Sequence, residues 1–204
     1  MMEFYITAFV TIFLVIDPAG LLPMFISLTH TRGSARFSIA LRACLIGICI
    51  LATFGFIGAR LLDFIGIGMP AFRISGGLLL FLIAVEMLFN KRGQRREQQN
   101  EDKSMDDPSV FPLATPLIAG PGAMTSMILL TSTMNVDKST TLIVMAAMIS
   151  VVFVVFLVFL SGGAVERLIG KVGINVVTRL MGMLLAALSV QFVVDGLKGL
   201  GVIA

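Results

Sequence analysis

Charge is scarce in this sequence. Asp, Glu, Lys and Arg supply 13% of its 204 residues, about half the share found in soluble globular domains. That shortage excludes a separate water-soluble domain. Side chains that carry chemistry are equally few: one histidine, His30, and two cysteines, Cys44 and Cys49. The cysteines lie five residues apart in one apolar run, on different helix faces, so they form no metal or disulfide framework and read as small buried hydrophobes. No HExxH, GxSxG or cluster of His and Cys ligands is present, which argues against an intramembrane enzyme. No GxxxxGK[ST] is present either, so no nucleotide-binding loop can drive transport. The N-terminus MMEFYITAF lacks a basic n-region and a cleavage site and reads as the start of a span rather than a removable signal peptide.

What fills the chain instead is apolar sequence, 57% hydrophobic with a mean hydropathy of +1.01. Apolar runs fall at about 4–29, 37–62, 70–90, 112–133, 139–161 and 174–197. Each is long enough for a hydrocarbon core that takes roughly 20 residues to cross. The reading is therefore an all-α membrane protein of six transmembrane helices, with the lipid bilayer as its first partner. Between spans 3 and 4 a polar run of mixed charge, KRGQRREQQNEDKSMDDPS, lacks apolar periodicity. It reads as a solvated cytoplasmic linker, residues 91–111, between units 1–90 and 112–204 of one membrane domain.

The net charge of +3 does not imply a nucleic-acid partner, because the basic residues sit in short loops, where positive charge marks the cytoplasmic side. One side collects Arg32, Arg36, Arg42, Lys91, Arg92, Arg95, Arg96, Lys103, Arg167, Lys171 and Arg179, and the other keeps Arg60, Arg73, Lys138 and Lys198. Eleven against four puts both termini on the outer face.

The two halves resemble each other. Shifted by 103 residues, Pro18 of span 1 lies over Pro121 of span 4, Gly20 over Ala123, and Met24 over Met127. Shifted by 106, Arg73 of span 3 lies over Arg179 of span 6, and Gly76 over Gly182. Three spans per copy make the copies antiparallel, the inverted-repeat plan of many secondary transporters.

Spans 1 and 4 both carry helix-breaking residues near mid-membrane. Asp17-Pro18-Ala19-Gly20 is followed by Pro23, and Gly120-Pro121-Gly122-Ala123 is preceded by Pro116. Proline deletes an amide donor and clashes with the preceding turn. Backbone freed in this way cannot face lipid, so it lines protein or a watered cavity, and a matched pair of breaks points to one site between the halves. Half-helix N-termini suit a carboxylate, and half-helix C-termini suit an ammonium group or a cation, so a zwitterion fits both. The alternative for these prolines is a pair of packing kinks.

Asp17 lies roughly 20 Å along a helix counted from Phe4, at a depth where an acid costs at least about 2.5–3.5 kcal/mol. It can accept a substrate amine, bind a coupling cation, carry a proton, or cap the second half-helix. Thr125 and Ser126 follow the second break and can bond substrate or their own backbone. Arg73 and Arg179 read as interfacial anchors, and Glu86, Gln191 and Asp195 as solvated span ends. Gly76, Gly77, Gly162, Gly163 and Gly182 read as points of close helix approach.

The segments DPAGLLPMF, PLATPLIAGPGAMTS, FRISGGLLLFLIAVEM and GINVVTRLMGMLLAALSVQFVVDGLKGL resemble the MarC family of prokaryotic inner-membrane proteins over nearly the whole chain. The family is placed with the lysine-exporter type transporters, and its better-understood members are described as carriers of small neutral amino acids such as glycine and alanine. The resemblance implies a cell inner membrane location and substrate contacts from Asp17, Pro18, Ala19, Gly20 and Pro23 and from Gly120, Pro121, Gly122, Ala123, Thr125 and Ser126. The combined reading is a secondary transporter of small neutral amino acids, with no cofactor and with H+ or Na+ coupling or exchange as the driving step. An exporter or channel for another small solute is the alternative, and a homo-oligomer is compatible with either. The orientation is checked with C-terminal reporter fusions: alkaline phosphatase should be active and green fluorescent protein dark, and the reverse pattern would overturn it.

Overall fold

A computed structural model describes residues 1–29, 35–89, 107–132 and 138–203. His30, Arg32 and residues 91–106 of the polar linker lie outside the described residues. Every described element is helical: α1 (Met2–Ile16), α2 (Pro18–Thr29), α3 (Arg36–Ile65), α4 (Met69–Leu88), α5 (Ser109–Ile118), α6 (Pro121–Thr131), α7 (Lys138–Leu160) and α8 (Gly162–Gly199). Four helices are long and apolar enough to cross a membrane by themselves, and six spans result if the bent pairs α1–α2 and α5–α6 each count as one.

Both anticipated interruptions are present. α1 and α2 meet at 41° across Asp17, and α5 and α6 meet at 51° across Ala119 and Gly120. The first half of span 4 departs from the regular helix that its apolar run implies. It is kinked rather than regular, because Phe111 and Thr115 hold extended dihedrals (φ/ψ of −130°/129° and −131°/122°). Each precedes a proline, Pro112 and Pro116, whose ring disfavours the helical region for the residue before it. The last residues of the 91–111 stretch are held against α3. Asp107 Oδ1 accepts from the Ser109 amide (3.0 Å) and hydroxyl (2.6 Å), and its Oδ2 lies 3.6 Å from Arg42 Nη1 on α3. Span 6 agrees with its apolar run: the membrane-length part of α8 is Val172–Gly199, and a break at Gly170 (φ 65°, ψ 168°) sets off the helical segment that begins at Gly162.

The helices pair reciprocally. α4 lies along α8 and α3 along α7; α1 packs on α7 as α5 packs on α3; and α1 meets α6. Side chains fix the directions. Phe37 meets Phe156 edge-on at 5.7 Å, Tyr5 donates to Ser150 Oγ at 2.9 Å, and Phe25 stacks on Phe159 at 4.2 Å. Ile12, Ile16, Leu21, Phe25, Leu80 and Met127 are fully buried in the centre. Ile6, Leu45, Phe56, Leu82, Leu157 and Leu184 point outward, as lipid-facing side chains should.

The α4–α8 seam is antiparallel and built on backbone contact. A Cβ at Gly77 would stand 2.8 Å from the Ser189 carbonyl oxygen, one at Gly182 2.9 Å from Met87 Cβ, and one at Gly196 2.8 Å from the Pro70 carbonyl oxygen. Small residues that admit such approach are a common basis of helix association in lipid, where hydrophobic attraction between helices is absent. Gly76 faces the other way, onto Thr125 and Leu129 of α6, and Gly162 onto Leu22 and Ile26 of α2. Gly77→Ala should therefore destabilise the fold by about 1–3 kcal/mol, since backbone cannot step aside cheaply. Leu78→Ala, on the exposed face, should be near neutral. Thermal unfolding of the two variants in detergent checks this, and equal midpoints would show that the seam tolerates separation.

Candidate functional site

The site is assembled from residues that end helices. α1 closes on Asp17, whose backbone is left-handed (φ 58°, ψ 69°) and whose amide still bonds to the Phe13 carbonyl at 3.0 Å. Asp is among the few residues besides glycine that enter this region readily. From there the chain restarts at once, because Pro18 is pre-set for the first position of a helix. The Asp17 side chain folds over the new start, with Oδ1 accepting from the Gly20 amide at 3.1 Å. Asp17 is thus both the end of α1 and the cap of α2. Gly20 makes this geometry admissible, since a Cβ there would collide with the Asp17 carboxylate.

The second break is built differently. α6 begins at Pro121 after Gly120, which has extended dihedrals (φ −82°, ψ 168°) and no side chain to cap with. A Cβ on Gly120 would run into the Pro116 carbonyl oxygen. At the position where span 1 carries a carboxylate, span 4 carries a bare backbone followed by the amides of Gly122 and Ala123. The prolines also remove acceptor partners. Pro18, Pro23 and Pro121 have no N–H, so the carbonyls of Leu14, Ala19 and Leu117 lose their i+4 donors.

The structure brings the two breaks together. Gly122 packs against Val15, two residues before Asp17, with a would-be Cβ 3.1 Å from Val15 Cγ1 and 2.6 Å from Ile83 Cδ1 of α4. Asp17 is 1% exposed. Pro18, Gly120, Gly122, Ala123 and Ser126 are buried, Ala19, Gly20, Pro23 and Thr125 are half-buried, and Pro121 is exposed. The Ser126 hydroxyl is buried with no hydrogen-bond partner, although helical serines usually bond back to the preceding turn. Thr125 turns its methyl onto Gly76. Arg179 is exposed, and Gln191 donates to Asp195 at 2.8 Å on the surface, so these groups stand away from the breaks.

One residue at the site was not anticipated from sequence. Thr178 of α8 is 8% exposed and directs its hydroxyl at Asp17 Oδ1, 3.4 Å away across 161 residues of chain. Sequence reading singled out its neighbour Arg179 for its charge. Adjacent residues on a helix point about 100° apart, so only one of the pair can face the break.

The chain belongs to the MarC family of integral membrane proteins, which it matches over residues 2–201. It is therefore an integral, multi-pass membrane protein. It is similar to a UPF0056 membrane protein of Methanocaldococcus jannaschii, 34% identical over 97% of this chain and 98% of the relative. A UPF0056 membrane protein of Archaeoglobus fulgidus is 37% identical over 96% and 93%, and UPF0056 membrane protein YhcE of Escherichia coli is 35% identical over 96% and 93%. No solved structure matches the chain.

The contact between Gly20 and the carboxylate yields a test of the first break. Gly20→Ala should evict Asp17 from its capping position and destabilise the protein by about 1–2 kcal/mol. In an Asp17→Gly background the same change should cost much less, because the obstructing group is gone. Detergent unfolding midpoints of the four proteins measure this, and strict additivity would mean that the two side chains do not meet.

Proposed function

We propose that this protein is a secondary transporter that moves small neutral amino acids across the inner membrane by alternating access. The observation that carries the reading is the chemical difference between two symmetry-matched breaks. Asp17 gives span 1 a negative charge, while Gly120 leaves the start of α6 with uncapped amides and the positive end of a helix dipole. A zwitterion with a short side chain matches both at once, with its ammonium toward Asp17 and its carboxylate toward Gly122 and Ala123. Val15, Leu80 and Ile83 pack closely around Gly122, which favours a substrate with a small side chain. On this reading the substrate is bound and not chemically altered, and the protein is not an enzyme.

The reciprocal packing of α1 on α7 and α5 on α3 supports inverted repeats over residues 1–90 and 112–204, joined by the cytoplasmic linker, with both termini outside. Rocking one repeat against the other would expose the joined breaks to each face in turn. Concentrative movement then draws on H+, Na+ or exchange.

Uptake of an amino-acid panel into proteoliposomes, with imposed proton or sodium gradients, tests the proposal directly. Glycine and alanine should be carried saturably, and non-saturable flux of many solutes would favour the channel alternative. Asp17→Asn preserves the cap, since Asn caps about as well as Asp. If the charge holds substrate or cation, both uptake and exchange should collapse while the protein stays monodisperse. If Asp17 carries the coupling proton, net uptake should vanish and exchange persist. Near-normal rates in both assays would reduce Asp17 to a cap.

A further inference from the structure

The contact from α8 extends the first break beyond its own span. We infer that the Thr178 hydroxyl joins the Asp17 carboxylate and the Leu14 carbonyl at the end of α1 in an oxygen-only subsite for a single positive charge. This deepens the transporter reading and rests on it for its purpose, because the charge is either the substrate's ammonium or a coupling alkali cation.

Three observations carry the inference. First, Thr178 Oγ1 and Asp17 Oδ1 are both buried yet stand 3.4 Å apart. Hydroxyl–carboxylate bonds ordinarily close to about 2.5–3.0 Å. A hydroxyl oxygen also has lone pairs to offer, and cis ligands of a cation bound at about 2.4 Å are separated by a similar span. Second, Leu14 lies in the last turn of α1, three residues before Asp17, and its carbonyl lost its helical donor to Pro18. Carbonyls in that position are the usual cation ligands of broken membrane helices. Third, the subsite holds one carboxylate, and the described residues contain no group of three or more His, Cys, Asp and Glu that could hold a metal ion. Divalent sites gather several carboxylates, whereas one carboxylate with neutral oxygens matches one positive charge.

The position of Thr178 adds a consequence. α8 runs along α4 through the glycine seam, so an occupant held by both Asp17 and Thr178 ties span 1 to the α4–α8 pair.

The test uses the full-length protein in detergent and reads thermal stabilisation. Sodium chloride is titrated against choline chloride at constant ionic strength, and glycine against acetate, which lacks the amine. Stabilisation by sodium identifies a coupling cation, and stabilisation by glycine alone identifies the ammonium. Thr178→Val keeps the shape and removes the hydroxyl. It should raise the half-maximal concentration about tenfold, the scale of one bond to a charged group. Thr178→Ser should stay within about twofold of wild type, and Asp17→Asn should lose the response. The subsite is overturned if no probe stabilises the wild type, if Thr178→Val responds like wild type, or if Thr178→Ser fails as Thr178→Val does. Cation-dependent stabilisation without flux in proteoliposomes would remove the transporter reading and keep the subsite. Flux that Thr178→Val leaves unchanged would do the reverse.

Discussion

A peptide group that has lost its helical partner cannot be left facing hydrocarbon, where it costs several kcal/mol. The architecture answers that constraint twice. Pro18 and Pro121 interrupt spans 1 and 4, and both interruptions are folded inward, where Val15 and Gly122 touch. The packing of the other spans follows from the need to enclose them. α3 and α7 flank the broken spans, and α4 and α8 complete the enclosure. The fully buried side chains Ile12, Ile16, Leu21, Leu80 and Met127 come largely from the broken spans themselves.

The two breaks solve one backbone problem with different chemistry. Asp17 satisfies the start of α2 with its own carboxylate, whereas Gly120 gives the start of α6 no side-chain partner. A symmetric pair of caps would make a site with no direction. The difference gives the junction a negative and a positive end, and it comes from Asp17 standing at one break where Gly120 stands at the other.

Much of this was legible in the sequence, and what was not has physical causes. Apolar run lengths report the four membrane-length helices and the two bent pairs because bilayer thickness sets them, and Pro18 and Pro121 report the breaks because a missing amide acts locally wherever it occurs. The irregularity of α5 went unread because Phe111 and Thr115 are apolar or neutral residues in an apolar run. Their extended dihedrals follow from what comes after them, Pro112 and Pro116. The short helical segment from Gly162 to the break at Gly170 was hidden by the polar residues Glu166 and Arg167, which lower hydropathy without stopping a helix. Thr178 could not be found by any local rule, because its partner lies 161 residues away and a hydroxyl in a span most often bonds its own backbone. The glycine positions showed that some close approach was needed; which helix approaches, Gly76 onto α6 and Gly77 onto α8, is decided by one step of helical phase.

The glycine seam also bears on how the chain is made. α4 leaves the ribosome well before α8, and until the last span arrives the groove at Gly77 has no backbone to receive. Lipid tails fill such grooves poorly, so the early half can enter the bilayer but cannot reach its final packing alone. Assembly is then committed late, when the C-terminal helix slots against α4 and brings Thr178 to Asp17. Nascent chains stalled before that point would be natural targets for membrane quality control, and truncations near the C-terminus would be felt at a junction encoded almost at the start of the message.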